Sequence, residues 1–364
     1  MNPIISQKVK KAARAKIESM AGSILFDLNH TLSAMALRPF ELHLELTNIC
    51  NANCIFCCYQ FQERPQITMS DSVFYKSLQD FVVIAGGSVG LTPLVGDALI
   101  DPQFLTRVKF IRSLPQIDRI FVTTNGILLD KFGITEILTS GLTSIDISTS
   151  GFEEESYRRI YRSAMYMRMK ENVTNLVKEN ERLGSPVNIS IGIRTDRPME
   201  HVMKDHDFQP ILEFKPYVDY VHFFSTAGGR IKSQLISPTM RLRAPRSKRE
   251  CCANLYNGPI VSPNGDVLAC CCFDAMDAIT DLKIGNIMED SLGNIYAGRI
   301  MKELRGQFSK CGTVNKTCTN CDSYQGLDLY RTKEGRLRAE LNRQRYAGKV
   351  VNRKDKAKGI SLGG

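Results

Sequence analysis

Residues 50–58 read CNANCIFCC, and they come shortly after an alternating run, FELHLELT, at residues 40–47. Alternation of apolar and polar residues predicts a strand with one buried face. Four cysteines within nine residues are too dense to be a chance arrangement in a globular protein. They could hold zinc, form disulfides or bind an iron–sulfur cluster, and the rest of the sequence narrows this choice.

The twelve cysteines fall into two groups, with four at residues 50–58 and eight beyond residue 250. No apolar run approaches the roughly 18 residues of a membrane-spanning helix. The basic N-terminal stretch lacks the apolar core and cleavage site of a signal peptide. The expected location is therefore the cytoplasm, where clustered cysteines are more often metal ligands than disulfides.

Six β-rich runs alternate with longer helical stretches in the first two thirds of the chain. The predicted strands are FELHLELT (40–47), SVGLTPL (88–94), RIFVTT (119–124), TSIDIST (143–149), VNISIGI (187–193) and YVHFF (220–224). Strands separated by helices predict βαβ units and a parallel sheet. The predicted fold class is α/β, a partial (β/α)6 TIM-like barrel, in which the chemistry lies at the carboxyl ends of the strands.

The 364 residues are expected to form two main domains with basic ends. The predicted segments are a basic helical extension at 1–39, the barrel at 40–225, a linker at 226–250, a small cysteine-rich module at 251–330 and a basic tail at 331–364. The two ends supply much of the net charge of +10. Because solvated charge runs are common, a nucleic-acid partner is not favoured.

The first three cysteines of the cluster, Cys50, Cys54 and Cys57, have the spacing C-x3-C-x2-C. Zinc normally takes four ligands, and only His43 lies close in the sequence. Three thiolates leave one iron of a [4Fe–4S] cluster without a protein ligand, since the complete set is four cysteines. An open iron can bind a substrate or cofactor, which favours a catalytic site.

The motif C-x3-C-x-aromatic-C, with Phe56 in the aromatic position, resembles the signature of the radical S-adenosylmethionine (SAM) enzymes. The resemblance implies a [4Fe–4S] cluster on Cys50, Cys54 and Cys57 that binds and cleaves SAM to a 5′-deoxyadenosyl radical. In this family the radical abstracts hydrogen from a carbon atom. Cys58 is an additional cysteine, and we expect it to pack behind the cluster.

The resemblance extends to the ends of the later strands. Gly96 and Asp97 stand where the family has a Gly-Gly-Glu-Pro motif that holds the SAM amino group, and the glycine pair at 86–87 is a competing alignment. The remaining cofactor-binding candidates are Thr124 and Asn125 after the third strand, Ser148 and Ser150 after the fourth, and Arg194 after the fifth. Their placement at successive strand ends predicts one SAM site.

The second cysteine group surrounds the turn SPNGDV at 262–267, which predicts a hairpin. Cys252 and Cys270 flank this hairpin, and Cys318 and Cys321 follow as C-x2-C. The pattern resembles the SPASM or twitch extension of radical SAM enzymes and implies one auxiliary [4Fe–4S] cluster on these four thiolates. Zinc is the alternative, Cys311 could replace one ligand, and a second cluster stays open.

The other cysteines of this group have two interpretations. Cys251, Cys271 and Cys272 could simply pack beside the ligands, because an unligated cysteine behaves as a small apolar residue. Alternatively, Cys271 or Cys272 could donate a hydrogen atom to a substrate radical. Asp274 could serve as a base close to the auxiliary cluster.

The main functional hypothesis is an oxidation or dehydrogenation at a C–H bond of a peptide or of a small sugar-like or aminocyclitol-like substrate. Its partners would be that substrate and a reductant such as ferredoxin or flavodoxin. A leader-peptide-binding domain is expected to be absent or separately encoded, because only about forty residues precede the barrel. The alternatives are a redox-neutral epimerase with a cysteine hydrogen donor, and a non-catalytic iron–sulfur or zinc protein.

Overall fold

The computed structural model describes residues 28–84, 86–91, 94–248, 250–270, 281–308 and 314–327. The helices are α1 (Leu28–Leu37), α2 (Asp71–Ile84), α3 (Phe104–Ser113), α4 (Ile134–Thr139), α5 (Glu154–Tyr161), α6 (Tyr166–Arg182), α7 (Met199–Val202), α8 (Gln209–Leu212), α9 (Asn254–Asn257), α10 (Leu292–Tyr296), α11 (Arg299–Gln307) and α12 (Lys316–Asn320). Short 3₁₀ turns cover Cys58–Phe61, Ala98–Ile100, Leu129–Phe132, His206–Phe208 and Ser233–Leu235.

The strands are β1 (Glu41–Leu44), β2 (Gly87–Gly90), β3 (Ile117–Thr124), β4 (Ser144–Thr149), β5 (Asn188–Ile193), β6 (Tyr217–Tyr220), β7 (Phe223–Phe224), β8 (Arg241–Leu242), β9 (Ile260–Val261), β10 (Asp266–Leu268) and β11 (Lys283–Asn286). Strands β1 to β6 are neighbours in chain order, and each adjacent pair is parallel. The predicted α/β fold with a partial barrel is confirmed.

The two faces of the parallel sheet differ in polarity. On the face that helices cover, Leu42 pairs with Val89 and Val89 pairs with Ile120, and all three are fully buried. Alternate residues turn to the other side, because successive side chains of a strand point to opposite faces. This inner face, defined here by His43, Phe121, Thr123, Asp146 and Ser190, is half-buried and mostly polar. The barrel interior can therefore admit a polar molecule.

The cysteine-rich module continues the barrel sheet. Strand β9 pairs in parallel with β1, and β10 and β11 follow it as antiparallel neighbours. The chain enters β9 through Gly258, where an added Cβ would lie 1.7 Å from the carbonyl oxygen of Glu41. Because only glycine allows this close approach of two backbones, Gly258 fixes the module against the first barrel strand.

The residues expected to be a linker include regular structure. The predicted strand at 220–224 is divided, because β6 stays with β5 as far as Tyr220 while Phe223 and Phe224 leave the barrel to pair with β8. Strand β8 lies within 226–250, and Ile231, Ile236 and Met240 of this segment are buried in the main hydrophobic core, so the segment does more than connect two domains. Among the described residues, no helix is both long and apolar enough to span a membrane.

Candidate active site at the strand ends

The cysteine loop after β1 is held by the last turn of α5. The backbone N–H groups of Asn53 and Ile55 donate to the carbonyl oxygens of Tyr161 and Ile160, at 3.2 and 2.9 Å. The final carbonyls of a helix have no partner within the helix, so they are available to a neighbouring loop. Arg162 ends the helix in the left-handed region, with φ 50°. The loop is thus positioned by backbone contacts that a cysteine pattern does not reveal.

The loop after β2 lies directly on the residues that precede Cys50. The Asp97 N–H donates to the Ile49 carbonyl oxygen at 2.9 Å. At Gly96, which has φ +89°, an added Cβ would lie 2.6 Å from the Thr47 oxygen and 2.8 Å from the Ile49 oxygen. Only glycine combines this conformation with such a close approach. The later alignment, at 96–97 and not 86–87, therefore places a glycine beside the cysteine loop.

The carboxylate of Asp97 joins the loop after β2 to the loop after β3. Its oxygens accept hydrogen bonds from the Thr124 hydroxyl at 2.8 and 3.1 Å, the Asn125 N–H at 2.8 Å and the Leu99 N–H at 3.0 Å. Burial raises the pKa of this carboxyl, and the three donors oppose the rise. These contacts make Asp97 and Thr124 positioning residues for the site, and direct SAM contact by either one stays a prediction.

The turn after β3 brings Asn125 against the first cysteine. Its Nδ2 lies 2.6 Å from the Asn51 Oδ1 and 4.0 Å from the Cys50 Sγ, where it can donate to both. The side chain of Asn172, on α6, donates to the carbonyl oxygens of Gly126 and Ile127 and so fixes this turn. A donor at the Cys50 sulfur would affect the reduction potential of a bound cluster.

The three predicted cluster ligands lie close enough to influence each other's ionisation. Burial raises the pKa of the Cys50 thiol to about 12, and the Asp97 charge adds to this. The Cys54 pKa is raised by burial and by the charges of Cys57 and Cys50, whereas the Cys58 thiol hydrogen-bonds to Cys57 and lowers its pKa. The nearby Arg194 guanidinium also favours the Cys54 and Cys57 thiolates.

The donor set of the first site differs from that of a single metal ion. Among the described residues, no group of three or more His, Cys, Asp or Glu side chains is arranged to hold one ion. In a [4Fe–4S] cluster each thiolate binds a different iron, so its ligands surround a larger group than one ion. Three neighbouring thiols in one loop fit a cluster with an open iron.

The residues at the ends of β4 and β5 are the remaining candidates of the site. The Ser148 hydroxyl lies 2.7 Å from the Tyr161 hydroxyl. The Ser150 hydroxyl is fully buried and has no hydrogen-bond partner among the described residues. A buried hydroxyl of this kind is expected to hydrogen-bond a bound molecule. The Arg194 Nη1 donates to the Gly192 carbonyl oxygen at 3.1 Å. Phe56 packs edge-on against Tyr161, with ring centroids 5.5 Å apart.

An ion pair close to the cysteine loop does not belong to any of the sequence motifs. Glu45 is fully buried and accepts two hydrogen bonds from Arg64, at 2.7 and 2.9 Å. Its Oε1 also lies 3.3 Å from the Val95 N–H, next to Gly96. Glu45 thus ties the segment after the cysteines to the loop after β2. In the sequence, Glu45 appears only as one of the polar residues of the alternating run FELHLELT.

Four cysteines of the second group line one cavity. Cys252, Cys270, Cys318 and Cys321 all line it, and about 480 Å³ of space lies between its atoms, including the open mouth. Burial, together with the charges of Cys321 and Cys252, raises the pKa of Cys318 to about 12. Cys251 turns away and packs with Tyr256 instead. The structure therefore distinguishes the two adjacent cysteines, although ligation by the four cavity cysteines stays a prediction.

Two residues beside this cavity were not found from the sequence. The Lys248 Nζ donates to the carbonyl oxygens of Thr319 and Cys321, at 3.0 and 2.8 Å. The carboxylate of Asp322 accepts from the hydroxyls of Ser225 and Thr226, at 3.0 and 2.8 Å. Neither residue belongs to a spacing motif, so only the folded chain brings them to the site.

Several predicted site residues fall outside the described residues. These are Cys271, Cys272 and Asp274, proposed as catalytic, and Cys311, proposed as an alternative ligand. Their assignments stay predictions.

Two family models match the chain. Residues 44–206 match the radical SAM superfamily, and residues 251–322 match SPASM, an iron–sulfur cluster-binding domain. The chain thus carries a radical SAM domain followed by a SPASM domain. These domains imply a [4Fe–4S] cluster and SAM at the first site and an auxiliary cluster at the second. The thiol sets and the buried Ser150 hydroxyl fit these groups.

Curated relatives of this radical SAM protein share about a quarter of its residues over part of its length. The GTP 3′,8-cyclase of Petrotoga mobilis is 26% identical over 135 residues, which are 36% of this chain and 41% of that protein. The enzyme of the same name from Lactiplantibacillus plantarum is 22% identical over 183 residues, covering 48% and 54% of the two chains. The chain spans about half the length of these relatives.

Solved structures show the same fold over most of the chain. Streptococcus suis SuiB bound to the precursor peptide SuiA is 15% identical, with a TM-score of 0.55, over 81% of this chain and 74% of that one. BtrN in complex with AdoMet and 2-DOIA is 15% identical, with a TM-score of 0.50, over 81% and 98%. Native anSMEcpe with bound AdoMet is 14% identical, with a TM-score of 0.52, over 88% and 100%.

Proposed function

We propose that this protein is a radical SAM oxidoreductase that oxidises or dehydrogenates a C–H bond of a peptide or a small sugar-like substrate. When bound, SAM and the reduced cluster supply a 5′-deoxyadenosyl radical, which removes a hydrogen atom from the substrate. The protein's own residues bind, orient and enclose these groups, while the chemistry belongs to the cofactor. A ferredoxin or flavodoxin is the proposed reductant, and the proposed location is the cytoplasm, where clustered cysteines are more often metal ligands than disulfides.

In this proposal the residues around the first site have separate tasks. Cys50, Cys54 and Cys57 bind the cluster through thiolate sulfur. The buried Ser150 hydroxyl and the Arg194 guanidinium orient SAM, since an unpartnered buried hydroxyl is costly without a ligand. Asp97 joins the loop after β2 to the loop after β3 through its contacts with Thr124 and Asn125.

The observation that carries the proposal is a continuous path of contacts between the two cysteine sites. Phe56, between Cys54 and Cys57, packs on Phe224, with ring centroids 5.4 Å apart. The next residue, Ser225, donates its hydroxyl to Asp322, which directly follows Cys321. A substrate at the barrel mouth would therefore lie beside both sites. The second site could then accept the electron that remains after hydrogen abstraction, which favours oxidation over a redox-neutral reaction.

The relatives and structural neighbours differ in what they bind or act on, so they leave the substrate open. One structural neighbour, SuiB, is bound to a precursor peptide, and another, BtrN, is in complex with the small molecule 2-DOIA. The curated relatives are named for cyclisation of GTP, but they match only part of the chain. Epimerisation would require a hydrogen donor such as Cys271 or Cys272.

The test measures iron, sulfide and zinc after anaerobic reconstitution, with SAM cleavage driven by dithionite on the same sample. We expect about eight irons per chain, by four irons for each cluster, and formation of 5′-deoxyadenosine. The Cys54→Ala variant should lose SAM cleavage. A protein that contains only zinc and does not cleave SAM would refute the enzyme assignment.

A matched pair of variants tests the auxiliary site. Cys252→Ala should lose about four irons, because Cys252 lines the cavity, whereas Cys251→Ala should retain them. Equal loss in both variants would contradict the assigned ligand set. With a substrate in hand, dehydrogenation predicts a mass loss of two hydrogens, and epimerisation predicts one solvent-derived hydrogen in the product.

A further inference from the structure

A long part of the chain between the two cysteine sites contains no acidic residue. From residue 220 to residue 249 there is no Asp or Glu, although the composition of the whole chain predicts about three in such a stretch. The same thirty residues contain seven Lys or Arg, namely Arg230, Lys232, Arg241, Arg243, Arg246, Lys248 and Arg249. This composition predicts a surface that attracts anions.

The fold places the second half of this segment between the two sites. The Arg243 N–H donates to the Phe224 carbonyl oxygen at 2.8 Å, and the Phe224 ring packs on Phe56 within the cysteine loop. Five residues later, Lys248 donates to the Cys321 carbonyl oxygen beside the second cavity. The residues from Arg243 to Lys248 therefore extend from the first site to the second.

The side chains of Arg241, Arg243 and Arg246, which we call the arginine strip, are available to a ligand. All three residues are exposed. Among the described residues, the ion pairs of the chain involve other arginines, and none of these three guanidinium groups has a carboxylate partner. Guanidinium groups bind phosphate in a bidentate manner, which makes arginine well suited to diphosphate recognition.

The polar inner face of the barrel is suited to the other end of such a molecule. On the inner face, Ser190 donates to the Asp146 carboxylate at 2.8 Å, and Thr123 pairs with Asp146 in the adjacent strand. His43 packs edge-on against Phe121, with ring centroids 5.6 Å apart. Hydroxyl, carboxylate and imidazole groups can hydrogen-bond the hydroxyls of a sugar, whereas they would be poorly satisfied by an apolar group.

We propose that the substrate is a phosphorylated, polyhydroxylated small molecule whose phosphate or diphosphate binds to the arginine strip of Arg241, Arg243 and Arg246. This inference deepens the proposed function and rests on it. A sugar phosphate and a nucleoside diphosphate sugar share the required chemistry. The phosphate anchors the molecule at the mouth while its hydroxyl-bearing carbons face the first site.

The test is equilibrium binding of inorganic pyrophosphate, glucose 1-phosphate and uridine diphosphate to the full-length, anaerobically reconstituted protein by titration calorimetry. The variant R241Q/R243Q/R246Q should bind pyrophosphate at least about tenfold more weakly than the wild type, because charge-assisted hydrogen bonds are lost. The control K109Q/K178Q/K302Q removes the same charge from exposed positions on outer helices and should bind as the wild type does. Tighter binding of uridine diphosphate than of glucose 1-phosphate would indicate a nucleoside diphosphate sugar as the substrate, and not a sugar phosphate.

Three outcomes would overturn this inference. Pyrophosphate could bind the arginine variant and the wild type equally, or both triple variants could weaken binding to the same extent. An oligoglutamate peptide could bind the strip when none of the three phosphate probes does, which would indicate an acidic peptide. SAM cleavage by the wild-type sample, measured without any of these probes, reports separately on the proposed function.

Discussion

Substitution of Gly96 by alanine gives the sharpest test of how the site is assembled. The added Cβ would lie 2.6 Å from the Thr47 oxygen, 2.8 Å from the Ile49 oxygen and 3.0 Å from the Asn48 carbonyl carbon. All three atoms belong to the backbone immediately before Cys50, so no flexible side chain can move aside. To reach ordinary contact at about 3.4 Å, the two loops must separate by about 0.8 Å.

The expected cost has two parts. An alanine at a positive φ costs about 1–2 kcal/mol, and the overlap with packed backbone adds about 1–3 kcal/mol. Gly184 provides the matched control, because it has a similar φ of +78° and no atom within 4 Å of its added Cβ. Gly184→Ala should therefore lower the free energy of unfolding only by the cost of the positive φ, about 1–2 kcal/mol. The difference between the two variants, about 1–3 kcal/mol, measures the contact between the loops.

The assay is urea unfolding followed by circular dichroism, with both variants reconstituted in the same way. SAM cleavage is measured on the same samples, and Gly96→Ala should lose about tenfold to a hundredfold, since displacements near 1 Å can cost this much in rate. Gly184→Ala should cleave SAM as the wild type does. Equal destabilisation by the two substitutions, with SAM cleavage intact in both, would show that the loop after β2 does not rest on the cysteine loop.

Three further predictions concern the electrostatics of the two sites. Asn125→Ala should lower the reduction potential of the first cluster, because it removes the Nδ2 donor 4.0 Å from the Cys50 Sγ, and a redox titration followed by electron paramagnetic resonance would detect this. Lys248→Met should lower the reduction potential of the auxiliary cluster, because it removes a cation whose charge also lowers the Cys318 pKa. Lys248→Arg keeps the charge and should preserve the potential. Identical potentials in the wild type and both variants would contradict the role of the charge. Since burial raises the pKa values of Cys50 and Cys318 to about 12, both thiols are protonated near neutral pH, and cluster binding must release their protons. Reconstitution yield, followed by cluster absorbance, should therefore rise with pH from about 7 to about 9, and a yield that falls over this range would refute the reasoning.

The comparison of sequence with structure is clearest at the two cysteine groups. The spacing of Cys50, Cys54 and Cys57, together with the alternating strand before them, predicted a radical SAM barrel, and this is confirmed. Spacing is informative here because these three predicted ligands lie in one short loop. The second module was also recognised correctly from its hairpin turn and its C-x2-C pair.

The cofactor-binding candidates were harder to judge from the sequence. Asp97, for example, stands where the family has an acid that holds SAM, and in the structure its carboxylate accepts hydrogen bonds from Thr124, Asn125 and Leu99, so direct SAM contact stays a prediction. A sequence position at a strand end does not specify the direction of a side chain. That direction depends on which donors the adjacent loop presents.

The sequence by itself determined the parts of this protein that are local: the strand periodicity, the close cysteine spacings and the hairpin turn. Each arises from residues that are neighbours in the chain, so their pattern can be recognised without a fold. Only the tertiary structure decided which of Cys251 and Cys252 enters the cavity and how Phe56, Phe224 and Asp322 connect the two sites. Those contacts join residues up to about 170 positions apart in the chain. Packing of the whole sheet brings these residues together, so no local sequence pattern predicts their contacts.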